Sequence, residues 1–154
     1  MIAELGHLLA FLALATAASQ SVLGLTTGGE PVRKLAVATG MFTLLSMLTL
    51  VISFVRLDFS VELVARNSHS LKPIIYRIAG AWGNHEGSML LWCLIMAGYG
   101  AAGALFMQRG KLRDRALGVQ GLLTTGSLLY LLIASSPFIR LDNPPLDGGG
   151  MNPL

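Results

Sequence analysis

The stretch "AWGNHEGSMLLWCLIMAGYGAAGALFM", Ala81 to Met107, decides the fold. From Ser88 onward it contains no Asp, Glu, Lys or Arg. A helix rises about 1.5 Å per residue and a bilayer's hydrocarbon core is about 30 Å thick, so a run of this length is long enough to span it. Backbone groups in lipid must be satisfied within the segment, and strand-like alternation is absent, so the run is read as a transmembrane helix. The stretch also raises a question about function. His85 and Glu86 stand against the start of the apolar run, flanked by Gly83 and Gly87.

Working outward, three further runs have the same character. The sequence of 154 residues is therefore predicted to be an all-α, polytopic membrane protein with helices over about 2–25, 35–55, 88–107 and 116–136. Composition agrees: 53% hydrophobic and 12% charged residues, where soluble domains carry about a quarter charged. The small residues Ala15 to Ser19 suggest a signal-peptide cleavage site. No Lys or Arg precedes Arg33, however, so the first run lacks a positive leader and is read as a retained helix. A net charge of +3 does not indicate nucleic acid, because the basic residues sit in short clusters between apolar runs with no aromatic platform. Cys93, the lone cysteine, lies inside an apolar run and is expected to behave as a small hydrophobe.

Basic residues set the expected orientation, since cytoplasmic loops hold an excess of Lys and Arg near helix ends. Arg33 and Lys34 follow the first run; Arg109, Lys111, Arg113 and Arg115 follow the third. The opposite side carries Arg56, Arg66, Lys72, Arg77 and Arg140, most of them spread through the long segment 56–87. Density makes the two short loops cytoplasmic and places both termini and the 56–87 loop outside. That loop is too long to be a plain connection. Between Pro73 and Trp82, the residues Ile74, Ile75, Ile78, Ala79 and Trp82 recur at helical spacing. They predict either an interfacial helix on the outer surface, with Tyr76 and Trp82 at headgroup level, or a segment packed against other helices.

His85 and Glu86 thus fall at the outer end of the third span. Glu86 suits a helix N-terminus on electrostatic grounds alone, and the Gly83–Gly87 spacing permits close approach by a helix or a flat ligand. A structural cap and a site are both open readings. Glu4 and His7, three residues apart on the first helix, together with Asp58, His69, Asp142 and Asp147, gather on the same side. All three histidines then lie near one membrane surface, which points to ligation or proton handling. The motifs of zinc proteases, nucleophile elbows, phosphate loops and covalent haem attachment are absent, so no metal site is expected. No charged residue lies in the middle of a span, which argues against a transport pathway. The basic cluster from Arg109 to Arg115 reads as a topology anchor, with anionic-lipid binding as a second reading.

The stretch from Asp58 to Trp92, "DFSVELVARNSHSLKPIIYRIAGAWGNHEGSMLLW", closely resembles the amino-terminal part of the CcmF family of cytochrome c maturation and its relative NrfE. The beginning, "AELGHLLAFLAL", and the end, "SSPFIRLDNPPLDGGGMNPL", resemble the same family in the same order. Asn84 and His69 depart from the commoner family residues, a small residue and Asn. The resemblance implies a multi-pass protein of the bacterial inner membrane, with termini and the 56–87 loop periplasmic. It also implies haem lyase chemistry, in which haem from a haem chaperone is joined to apocytochrome c. The family's tryptophan-rich segment and haem-ligating histidines find no match in this chain. The resemblance therefore implies a split-gene product or part of a longer chain, not catalytic alone and completed by the remaining lyase chain or other maturation subunits. Carried over from the family motif, the candidate site is Trp82, Gly83, His85, Glu86, Gly87 and Ser88, with His7 and His85 as the residues available to haem. The alternative on composition is a small helical subunit of a respiratory or ion-translocating membrane complex.

Overall fold

The computed structural model describes residues 1–149; the last residues of the family-like stretch, 150–154, lie outside them. Six helices follow in order: α1 (Ile2–Thr26), α2 (Glu30–Val55), α3 (Glu62–Asn67), α4 (Ile74–Gly80), α5 (His85–Phe106) and α6 (Lys111–Ala134). Four of these, α1, α2, α5 and α6, are long and apolar enough to cross a membrane. They form an antiparallel bundle in which α1 packs on α2 and α6, and α5 packs on α2 and α6. The end carrying residue 1, the 56–84 segment and the chain after α6 is termed the outer end.

The helices differ from the expected spans mostly at their starts. α2 and α6 each begin several residues before the predicted 35 and 116. A hydropathy reading stops at charge, whereas the helical turn runs on through it. Pro31 suits the first turn of α2, and Arg33 pairs with Glu30 one turn back at 2.5 Å. α6 ends at Ala134 rather than 136 because Ser135 leaves helical geometry and Pro137 follows.

Small residues set the spacing of the bundle. Gly24 and Gly118 meet where α1 crosses α6, and a Cβ on Gly24 would lie 2.5 Å from the Gly118 Cα. Gly121 likewise abuts the Ala17 carbonyl. Such close approach replaces hydrophobic driving force inside a bilayer, where lipid is as apolar as leucine. The sequence reading overlooked the polar interior. Gln20 on α1 is fully buried and donates to the Leu117 carbonyl and to Gln120 Oε1 on α6, both at 2.7 Å. Gln120 in turn donates to the Met96 carbonyl of α5 at 2.9 Å and to Thr124 at 2.7 Å. Three helices are joined by one uncharged network, while α2 presents its hydroxyls inward, Ser46 donating to the Gly6 carbonyl at 2.9 Å.

The inner end holds a contact that the sequence did not announce. Arg113 is 4% exposed and donates to its neighbour Asp114 at 2.9 and 3.1 Å. The other Asp114 oxygen accepts from the Gly29 backbone at 2.7 Å. Asp114 thereby holds the α1–α2 turn, where Gly28 and Gly29 take left-handed φ values of 70° and 94°.

Candidate functional site

At the outer end, the chain leaving α2 turns twice before it enters α5. Leu57 adopts φ 54°, with Asp58 donating to the Ser53 carbonyl, and this closes α2. Val61 then forms an isolated antiparallel bridge with Arg140, flanked by hydrogen bonds of 2.9 Å from Glu62 to Ile139 and from Leu141 to Ser60. The segment after α6 therefore lies alongside the start of α3, a helix the periodicity reading missed because six residues are too few to show a period. Arg140 ties three parts together. It pairs with Glu4 of α1 at 2.7 Å, lies 3.7 Å from Asp58, and hydrogen-bonds Ser60. The Glu4 carboxylate beside it raises the Arg140 guanidinium above its ordinary pKa. Further along, Asp147 accepts from both the backbone and the hydroxyl of Ser70, and Gly149 donates to the Ala65 carbonyl at 2.9 Å. The Ser70 hydroxyl, foremost among these donors, lowers the Asp147 pKa.

α4 covers residues 74 to 80 of the stretch expected to be helical over 73–82. It buries no residue, leaving Leu71, Ile74, Ile75 and Tyr76 exposed, while Gly80 rests against Phe54 of α2.

The turn from α4 to α5 is built by the family-like motif itself. Asn84 is the N-cap of α5: its side-chain oxygen accepts from the Gly87 backbone and its amide donates to the Gly80 carbonyl, each at 2.7 Å. One side chain thus caps the start of α5 and fastens it to the end of α4. Ser88 donates to the Trp82 carbonyl at 2.6 Å. A Cβ on Gly87 would stand 1.8 Å from the Ala81 carbonyl oxygen, whereas at Gly83 the nearest atom would be 3.4 Å away. Gly87 is thus demanded by the turn, and the space it leaves is filled by the turn's own carbonyl rather than by a helix or a flat ligand. Glu86 is not the cap; Asn84, which departs from the commoner family residue, performs that role. An Asn one turn ahead of an apolar run is a helix-start signal that could have located this cap.

The site residues then separate by what they face. Trp82 is 40% exposed, and His85 is exposed on the first turn of α5. Glu86 turns toward a pocket of about 120 Å³ between α3, α5 and the end of α6. The other histidines have partners of their own. His7 lies between Phe11 and Phe138, with ring centroids at 5.0 and 6.2 Å. The Nδ1 of His69 accepts from the Leu71 backbone at 3.1 Å, and its Nε2 is 3.5 Å from Asp147. No group of three or more His, Cys, Asp or Glu among the described residues could hold a metal ion. Of the three histidines only His85 is exposed, while His7 and His69 are half-buried.

No family model matches the chain. Whole-chain comparison is more informative. The chain is 44% identical over its full length to cytochrome c-type biogenesis protein ccl1 of Rhodobacter capsulatus, and 43% and 40% identical to the CcmF proteins of Pseudomonas aeruginosa and Escherichia coli. A solved structure of cytochrome c heme lyase CcmF superimposes with a TM-score of 0.82 over 93% of this chain, at 26% identity. The chain corresponds to an amino-terminal portion of the CcmF family. It spans about a quarter of the length of these relatives, 25% of each biogenesis protein and 26% of the solved chain. The bundle and the outer-end segments thus correspond to about a quarter of a CcmF-family protein.

Proposed function

We propose that the chain supplies a membrane part of a haem lyase in cytochrome c maturation, and that further sequence or a partner chain completes the catalyst. The observation carrying this reading is the match of the entire chain, at 44% identity, to a cytochrome c-type biogenesis protein. Residues 1–154 serve as one unit: four spans hold the outer segments as a platform for the rest of the lyase. Its partners are that remaining chain, the haem chaperone and apocytochrome c, and its membrane is the bacterial inner membrane. Both termini and the 56–87 loop face the periplasm, a reading supported by the dense basic clusters at the opposite ends of the helices.

Within this platform the Trp82–Ser88 turn presents Trp82 and His85 outward on a fixed backbone. An exposed imidazole at this position supplies a donor or acceptor at the surface where haem and apocytochrome meet. α4 lies at the membrane interface, with Leu71, Ile74 and Ile75 toward the acyl chains. The test is genetic. Deleting the gene should abolish covalent haem staining of c-type cytochromes, and the wild-type gene should restore it. His85→Ala should insert normally yet restore roughly tenfold less stain, the scale of a lost charge-assisted contact. Full staining in the deletion strain would overturn the assignment; full restoration by His85→Ala would reduce the turn to a structural element.

A further inference from the structure

The outward face of α5 has a chemistry that lipid does not suit. The bundle side of this helix is carried by Leu90, Cys93, Ala97, Gly100 and Ala104. On the opposite side Trp92, Ile95, Tyr99, Ala102 and Phe106 follow one another at alternating spacings of three and four residues, the pattern of a helix that meets another helix along a seam. Trp92 and Tyr99 are 61% and 76% exposed, and Ile95 and Phe106 are exposed beside them. α5 runs from His85 to Phe106, so at about 1.5 Å per residue Trp92 and Tyr99 each stand about 10 Å in from one end of the helix. Both depths fall inside a hydrocarbon core of about 30 Å. Trp and Tyr normally gather at the membrane interfaces, where the indole N–H and the phenolic hydroxyl meet water. Deeper in, hydrocarbon offers those donors no acceptor, and leaving them unmatched is unfavourable.

The other outward faces carry no such conflict. α2 exposes Met41, Leu44, Leu45, Leu48 and Ile52, all without a donor, and Tyr130 on α6 stands about one turn from that helix's outer end at Ala134. Two donors seven residues apart on a heptad seam therefore call for a protein surface with the same repeat. The backbone is also open to it, since a Cβ at Gly98, beside the seam, would meet nothing within 4 Å. The chain spans about a quarter of the length of its CcmF-family relatives, which leaves a large membrane partner to be placed. We propose that a transmembrane helix of the remaining CcmF-family sequence docks along the Trp92–Phe106 seam of α5, an inference that rests on the lyase reading above. The docking helix approaches closely over Ala102 and Gly98. It presents oxygen acceptors about 10 Å apart, one to the Trp92 N–H and one to the Tyr99 hydroxyl, as the rise of seven helical residues requires. α2, by contrast, keeps its outward face to lipid.

The protein, expressed in its own host, carries the photo-crosslinker p-benzoylphenylalanine at one position at a time; native membranes are irradiated and the cross-linked peptides are sequenced by mass spectrometry. Tyr99→p-benzoylphenylalanine and Ile95→p-benzoylphenylalanine should form adducts with an apolar segment of the remaining CcmF-family sequence. Leu44→p-benzoylphenylalanine, on the outward face of α2, should form none above background. Tyr99→Phe keeps the ring and removes the hydroxyl, so it should lower the adduct yield from position 95 about threefold, the scale of one interhelical hydrogen bond in a bilayer. None of these changes touches the bundle interior, and affinity purification of each variant records whether the remaining sequence is still bound. Adducts to that sequence from position 44 as often as from 95 or 99 would overturn the α5 docking face and leave the lyase reading standing. So would adducts from 95 and 99 to a second copy of the chain alone, or to lipid alone, while the remaining sequence still co-purifies. Absence of both adducts and co-purification would overturn the lyase reading together with the docking face.

Discussion

Single residues in the α4–α5 turn carry more structural duty than their chemistry suggests. Gly87→Ala drives a Cβ into the Ala81 carbonyl oxygen at 1.8 Å; the oxygen is backbone and the Cβ is fixed by the helix backbone, so neither can step aside without moving the turn. A loss of at least about 2 kcal/mol is expected, at the upper range of overpacking costs, read as a lower denaturant midpoint in detergent micelles. Asn84→Ala should cost about 1 kcal/mol by the same measurement, because the Gly87 N–H loses its acceptor. Asn84→Asp keeps the acceptor but not the donor to Gly80 and should fall between. The sequence revealed that Gly87 mattered without revealing why. Spacing alone cannot tell a glycine that admits a neighbouring helix from one that admits the carbonyl of a residue six positions earlier in the same turn. The same limit applies to Glu86: its helix-end position was legible, but the direction of its side chain depends on α3 and α6, elements distant in the chain.

Elements that span the membrane were legible because apolar run length is a one-dimensional signal, and the four helices follow from it. What escaped was whatever depends on pairing across long separations. The Val61–Arg140 bridge and the Ser70–Asp147 contact join residues about eighty apart, and α3 is too short to show a period. No local period announces them. The Gln20–Gln120 network escaped for a different reason, since uncharged polar residues barely interrupt a hydropathy profile. The docking of the chain after α6 has a pH dependence with a definite sign. The Ser70 hydroxyl, with the Ser70 and Gly148 backbones, lowers the Asp147 pKa on folding. A carboxylate depressed in the folded state stabilises it above the unfolded value, about 3.9, and loses that contribution as pH falls through the folded one. Protection of the Gly149 amide against hydrogen exchange, corrected for intrinsic rates, should therefore fall as pH drops below about 4. In Asp147→Ala the protection should be weaker throughout, with that acid-dependent fall removed.

At the scale of the whole molecule, the outer end is more than a set of loops. Arg140 fastens α1, the post-α2 turn and the chain after α6 at one point, and Asn84 fastens α4 to α5 at another. A bundle built this way holds its outer segments at fixed positions, in a chain that spans 25% of its biogenesis relatives. Family membership was legible from three separated motifs in order. The division of labour among the three histidines was not, because it depends on which aromatic ring or carboxylate each one meets. The central claim, that this platform works only as part of a larger haem lyase, is tested most directly by purifying the tagged chain from solubilised membranes, identifying what accompanies it by mass spectrometry and recording a visible spectrum. The account predicts recovery of a polypeptide matching the remaining length of CcmF relatives, together with a haem b absorption band. Recovery of respiratory-complex subunits instead, or of the chain alone and free of haem, would contradict it.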